Sequence, residues 1–305
     1  MNHDKHSQRT SPAMGVQPVA PHTDDGTATD ARFARITAGV PEVTDAFTRD
    51  VLRDAYGLAA VTLRPLAGET DRNVHVTGAD GAQYVLKITG VAEARAAAFQ
   101  TALLEHLAER DIGYAVPRPV PSRSGERTVA AGGLLVRLLT WVPGAPLAEV
   151  PRRSAELLAD VGTAAGRLAA ATASFTHPEP PEPHYWDLAH SGRALADSVA
   201  HIADPDLRAA AARIQALYLP TLAGRLDGLP VAVVHHDLNV FNVLVRRDGP
   251  RHRVSGVIDF GDAAPAPRVA DLAVLASSAM RGADRPLAVA AALTAAYHAA
   301  CPLGE

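Results

Sequence analysis

Hydrophobic positions along this chain change their period. Between residues 59 and 140 they come mostly in short Val-, Leu- and Ile-rich runs, the pattern of β-strands. Beyond residue 154 they recur every three or four positions, the pattern of helices, with one return to strand-like runs between residues 231 and 260. Ahead of the strands, Val43, Phe47, Val51, Leu52 and Ala55 predict a helix over residues 41–56, stopped by Gly57. Strands are predicted over residues 59–66, 74–77 and 83–88, with Ala79-Asp80-Gly81 as the hairpin turn between the last two. A helix over residues 92–110 follows, with Phe99, Leu103, Leu104 and Leu107 as its apolar stripe. Paired prolines make Val116-Pro117-Arg118-Pro119-Val120 an extended connector. Residues 128–131 and 134–140 complete a predicted sheet of five antiparallel strands with one helix packed on it.

The string Trp141-Val142-Pro143-Gly144-Ala145-Pro146 marks the change of character. It places a boundary between a small sheet lobe, residues 41–140, and a larger, mainly helical lobe, residues 141–305. Backbone groups of such a linker, at Trp141 and Val142, suit the edge of an adenine or guanine. Ser154 caps a helix over residues 154–171 whose face is Leu157, Leu158, Val161, Ala165 and Leu168. Further helices are predicted over residues 187–203, 206–226, 267–278 and 286–300. In the second of these, Leu207, Ile214, Leu217 and Leu222 are the expected core positions. Residues 1–40 are expected to form a disordered tail, polar through most of their length. The expected class is α+β, two lobes around a cleft.

Composition narrows the function classes. The chain has 305 residues and a net charge of −4, which provides no reason to expect nucleic acid or an anionic membrane as partner. Cys301 is the only cysteine, so no internal disulfide is possible and the cytoplasm is the expected compartment. The N-terminus lacks an apolar segment of signal-peptide type, and no run is apolar enough to span a bilayer. The His residues show no zinc-ligand spacing with cysteine.

The candidate chemistry lies between Val231 and Asp262. Apolar runs at Val231–Val234 and residues 243–245 flank a polar loop with His235, Asp237, Asn239 and Asn242. A third run, residues 254–260, ends in an acidic tip with Asp259 and Asp262. Asn242 and Asp259 offer oxygen and no sulfur, which suits a hard cation such as Mg²⁺. Asp237 is placed to accept a proton from a substrate hydroxyl. One base beside two metal-holding groups is what phosphoryl transfer from a nucleotide requires. Asn and Asp are also ordinary turn formers, so each residue alone reads as loop. The ordered set H-x-D-x-x-x-x-N followed by I-D-F-G-D favours the chemical reading. Lys87 lies between apolar residues in Tyr84-Val85-Leu86-Lys87-Ile88, a position open to an edge-strand charge or to a phosphate ligand. The distal acidic set favours the phosphate.

In that order V-L-K, L-L-T-W-V-P-G, H-H-D-L-N-V-F-N and I-D-F-G-D, the chain resembles the aminoglycoside phosphotransferase family, relatives of protein kinases. Glu69-Thr70-Asp71-Arg72-Asn73, Arg137-Leu138-Leu139-Thr140-Trp141 and Trp186-Asp187-Leu188 are similar to the hydroxylysine kinase branch and to the phosphotransferase domain fused to class III aminotransferases. The resemblance implies a protein-kinase-like two-lobe fold and transfer of the γ-phosphoryl group of ATP or GTP, with Mg²⁺, to a small alcohol, a hydroxylated amino acid or amino alcohol. Lys87 matches the lysine on the α- and β-phosphates, Asp237 the catalytic aspartate, and Asn242 and Asp259 the Mg²⁺ ligands. His235 and Asp271 match structural supports. Gln100 falls where kinases carry the glutamate that pairs with the lysine; it can hydrogen-bond Lys87 but not neutralise it. Asp262, Asp187 and Glu69 are candidates for holding a cationic acceptor. Homoserine, choline, an aminoglycoside or a peptide Ser/Thr remain alternative acceptors, and a non-catalytic kinase-like binding module is the alternative from another class.

Overall fold

The computed structural model describes residues 39–68, 70–181, 187–188, 195–196, 198–217, 221, 225–226 and 228–303. The first helix, α1, spans Asp45–Tyr56. It starts later than predicted because Thr44 caps it, its side chain accepting the Phe47 N–H at 3.1 Å. Strands β1 (Ala60–Leu66), β2 (Arg72–Gly78) and β3 (Gln83–Gly90) follow, then α2 (Ala94–Ala108) after one turn of 3₁₀ helix. Strands β4 (Pro119–Val120), β5 (Val129–Ala131) and β6 (Leu134–Thr140) complete an antiparallel sheet in the order β1-β2-β3-β6-β4, with β5 also paired to β6.

This sheet has six strands, one more than the sequence predicts. The additional strand is the end of the proline-rich connector. Pro119 cannot donate to a ladder, so the segment adds only a two-residue edge strand beside Leu138 and Leu139. One face of the sheet buries Val74, Val76, Leu86, Ile88, Val136 and Leu138 against Val51 and Leu52 of α1. The apolar stripe of α2 turns away from that cluster. Phe99, Leu103, Leu104 and Leu107 join the main core, which continues into the helical part of the molecule.

After the linker, β7 (Ala145–Pro146) pairs with β9 (Val243–Asp248), and β9 pairs with β10 (Arg251–Val257). Helix α3 (Ala155–Thr172) begins at Ser154, whose hydroxyl accepts the Leu157 N–H at 3.2 Å. Its predicted face, Leu157, Leu158, Val161, Ala165 and Leu168, is buried. Helix α4 (Pro205–Leu217) departs from expectation. Leu207, Ile214 and Leu217 are 63%, 48% and 60% exposed, so the period is helical but no described element packs on that stripe. Leu222, and residues 189–194 and 197 of the helix predicted over residues 187–203, lie outside the described residues, as does nearly all of the tail. Strand β8 (Val231–Val234) pairs with β11 (Ala264–Pro267), a strand the sequence reading assigned to loop and helix start. The following helix, α5, consequently runs over Ala270–Met280. Helix α6 spans Pro286–Ala300, as predicted. Among the described residues no helix is long and apolar enough to cross a membrane.

Two glycines set how closely α3 and α6 approach. A Cβ on Gly162 would lie 2.5 Å from the Leu293 carbonyl oxygen, and one on Gly166 would lie 2.7 Å from that of Tyr297. Those oxygens belong to a helix backbone and cannot turn aside. Gly166→Val is therefore expected to destabilise the fold by about 1–3 kcal/mol, the usual range for overpacking. A thermal midpoint equal to wild type would contradict this.

Candidate active site

Strand register assembles one half of the site. Asn73 on β2 stands opposite Lys87 on β3, and Lys87 stands opposite Arg137 on β6. Residues in register share a face, so these three polar side chains form a row across one face of the sheet. All three are buried. Lys87 Nζ lies 3.2 Å from Asp71 Oδ2 and 3.4 Å from Asp259 Oδ1. Burial by itself drives the Lys87 pKa down, but the Asp259 and Asp71 carboxylates outweigh it and hold the pKa above the ordinary lysine range. Arg137 Nη2 lies 3.9 Å from the same Asp71 oxygen.

The other half is the loop between β8 and β9. Its backbone is held from α5, where Asp271 sits in the first turn. The Asp271 carboxylate accepts the N–H groups of His235 and His236 at 2.8 and 2.9 Å. Those bonds fix His236 at φ 63°, a left-handed conformation that is uncommon without glycine. Burial raises the Asp271 pKa, and these N–H bonds oppose it. His235 links two loops: its Nε2 is 2.9 Å from the Ile258 carbonyl and its Nδ1 lies 3.3 Å from the Asp237 N–H. Nδ1 is thus the acceptor there and Nε2 the donor, and the ring braces the backbone on both sides of the cleft floor.

Asp237 emerges from this frame with both carboxylate oxygens aimed. Asn239 Nδ2 donates to Oδ1, and Asn242 Nδ2 donates to Oδ2 at 2.7 Å and to the Asp237 carbonyl at 2.9 Å. Burial raises the Asp237 pKa, the Asn239 bond works against that, and the nearby Asp262 and Asp259 charges add to it. Asn242 uses its amide nitrogen inward, which leaves its oxygen as the outward donor atom. Asp259 adopts φ 64°, ψ 66° and starts the 3₁₀ turn Phe260–Asp262. That is why the strand predicted to reach Phe260 stops at Val257. Lys87 holds the Asp259 carboxyl below the usual carboxylate range, and half of that side chain is exposed.

Between the two halves lies a cleft of ≈ 500 Å³. Its apolar walls include Val85, Leu139, Leu244 and Ile258, and Lys87, Asn242 and Asp259 lie at its polar end. Trp141 and Val142 line it too. The Trp141 N–H is committed to the Gln83 carbonyl at 3.1 Å, and its ring packs on His75 with centroids 4.3 Å apart. Residues Asn242 and Asp259 fit a hard divalent cation: an amide oxygen turned outward and a carboxylate kept ionised by Lys87, with no sulfur donor.

Gln100 lines the cleft, and both ends of its amide are bonded to groups other than Lys87. Its Nε2 donates to the Gly261 carbonyl at 2.8 Å and its Oε1 accepts from Arg137 Nη1 at 3.0 Å. The carboxylates that pair with Lys87 are instead Asp71 and Asp259. Asp262 is half-buried and close enough to act on the Asp237 charge. Asp187 is 4% exposed and does not line the cleft; its neighbour Leu188 packs on Val234, Ala266 and Ala270. Glu69 and Trp186 lie outside the described residues. Asp71, Arg137 and Asn239 are the site residues to which sequence reasoning assigned no role. The sequence signal for Arg137 is one charge in the middle of Leu-Leu-Val-Arg-Leu-Leu-Thr.

The chain is similar to proteins of known activity. It is 28% identical to hydroxylysine kinase of Danio rerio over 286 residues, covering 87% of this chain and 78% of that protein. Among solved structures, amicoumacin kinase in complex with AMP-PNP, Ca²⁺ and its ligand aligns with a TM-score of 0.66 at 17% identity, over 86% of this chain and 79% of that one. A microcompartment-associated aminopropanol kinase aligns with a TM-score of 0.61 at 19% identity, over 85% and 82% of the two chains. These likenesses show the two-lobed, kinase-like α+β fold. A model of the phosphotransferase enzyme family matches residues 62–303, from β1 through the cleft loops to α6, and the chain belongs to that family.

Proposed function

We propose that this protein is a small-molecule kinase that transfers the γ-phosphoryl group of ATP or GTP to the hydroxyl of an amino alcohol or hydroxylated amino acid. One observation carries the reading: Asp237, aimed by Asn239 and Asn242, adjoins a cleft whose polar end holds Lys87, Asn242 and Asp259. The base enters between Val85, Leu139, Leu244 and Ile258, with its edge toward the Trp141–Val142 linker. Because the Trp141 N–H is used by the sheet, the Trp141 carbonyl and Val142 backbone are the groups left to read that edge. In this reading the linker divides the lobes at residues 140 and 141.

Lys87 neutralises phosphate charge. Asn242 and Asp259 would hold Mg²⁺, which supplies charge neutralisation at the β- and γ-phosphates when bound. Asp237 orients the acceptor hydroxyl and takes its proton as the bond to the leaving oxygen breaks. His235 and Asp271 move no proton; they hold the loops that carry Asp237 and Asp259. Alignment and fixed charge, rather than covalent chemistry on the protein, supply the rate. Asp262, whose charge reaches Asp237, suits an acceptor ammonium group. Asp187 and Glu69 are the further candidates for that role. Hydroxylysine and aminopropanol, the acceptors in the names of two relatives, each carry an amine and a hydroxyl. The setting is cytoplasmic in this proposal, consistent with Cys301 as a buried free thiol.

A panel of 5-hydroxylysine, aminopropanol, homoserine, choline, an aminoglycoside and a Ser/Thr peptide, each with ATP and with GTP, tests the assignment. Turnover is expected with an amino alcohol of the first two kinds. Mg²⁺-dependent nucleotide binding with no turnover on any acceptor would replace the kinase reading by a binding module.

A further inference from the structure

Lys87 cannot be served by α2. The amide of Gln100 is engaged at both ends, by Arg137 and by the Gly261 carbonyl. The carboxylate that reaches Lys87 comes from the turn between β1 and β2, at Asp71. This turn is tightly built. A Cβ on Gly68 would lie 2.2 Å from the Asp71 carbonyl oxygen, and the Asn73 amide donates to the Ala67 carbonyl at 3.0 Å. Asp71 and Lys87 side chains are only 12% and 10% exposed, and Arg137 beside them is 3% exposed. Lys87 and Arg137 thus meet the Asp71 carboxylate in a nearly dry cluster, and the half-exposed Asp259 carboxylate reaches Lys87 from the cleft.

That balance has a consequence for Asp259. With Asp71 present, Lys87 has a carboxylate of its own and Asp259 need not be surrendered to it. Without Asp71, the buried Lys87 ammonium would draw on Asp259, the carboxylate that a divalent cation also needs. Removing one partner from a buried charged pair leaves the other uncompensated, which costs more than the pair itself contributes.

We infer that Asp71 is the positioning residue for Lys87, taking the place of a helix-borne acid and keeping Asp259 available to the cation that accompanies the nucleotide. Gln100 and Arg137 form a separate brace that ties α2 to the Asp259 loop. The inference rests on the kinase reading above.

The test is calorimetric binding of Mg·ADP and the Mg²⁺ concentration needed for it, in the full chain. Asp71→Asn is expected to weaken Mg·ADP binding about 10- to 100-fold, the usual loss when a supporting partner of a metal site is removed. Its Mg²⁺ requirement should rise, while metal-free ADP binding changes less. Asp71→Glu restores the charge and should recover binding toward wild type. Adding Gln100→Glu to Asp71→Asn should not rescue it, because a carboxylate there meets Arg137. In a Lys87→Met background, Asp71→Asn should add little, since its partner is already gone. Unchanged binding in Asp71→Asn, rescue by Gln100→Glu, or additive losses with Lys87→Met would each overturn the inference. If Asp71→Asn fails to fold, Asp71→Glu decides: a folded chain that loses Mg·ADP binding refutes the inference, and retained binding supports it. Failure of the wild-type chain to bind Mg·ADP would instead strike the kinase reading itself.

Discussion

Asp237→Asn should bind nucleotide as the wild type does and lose about 10²- to 10⁴-fold in kcat, the range for removing a positioned general base. The substitution keeps size and can still meet Asn239 or Asn242 through its oxygen. It removes the negative charge, the capacity to take a proton and one of the two amide hydrogen bonds. Asp237 makes no contact with Lys87, so the phosphate end of the cleft should stay assembled. Single-turnover kinetics beside nucleotide titration separate the two quantities. A variant that loses nucleotide affinity while keeping kcat would place Asp237 on the wrong side of the reaction.

Asp259→Asn is the second large effect, and it should fail in a different way. Asp259 holds a left-handed backbone, which Asn tolerates better than Ala, so Asn isolates the charge from the strain. Loss of that charge takes away one cation ligand and one of the two carboxylates facing Lys87. We expect kcat/KM to fall by about 10³-fold, comparable to the loss of a strong transition-state contact. Mg²⁺ should no longer improve nucleotide binding. Rescue by a softer divalent ion such as Mn²⁺ would support a direct ligand role. An intact Mg²⁺ response would remove Asp259 from the cation site.

Local spacing made much of this chain legible. His235, Asp237 and Asn242 fall within one loop and Asp259 within the next, so the positions that meet in space are close in sequence. Lys87 was legible because one charge interrupts an apolar strand. Its partner was not, because pairing depends on register: Asp71 and Lys87 approach only after β2 and β3 align Asn73 opposite Lys87. Gln100 was placed by helix spacing alone, which could not reveal that Arg137 already occupies its oxygen. Leu207, Ile214 and Leu217 show the same limit. Their spacing marked a helix, but spacing does not specify what covers the stripe. Strands β4 and β11 were missed because proline disfavours strand in any local reading, and only a partner strand made short extended segments of them. The hydroxyl acceptor was least legible, since its expected side of the cleft includes residues far apart in the chain.

Phosphoryl transfer to a carbon-bound hydroxyl is the centre of the account, and the position of the transferred phosphate tests it most directly. With γ-labelled nucleotide, 5-hydroxylysine and lysine differ only in the hydroxyl offered. The account predicts a phosphate ester on the hydroxylysine oxygen, visible by phosphorus–carbon-proton coupling, and no labelled lysine. Label on the lysine amine, or retained on the protein in place of the acceptor, would contradict it.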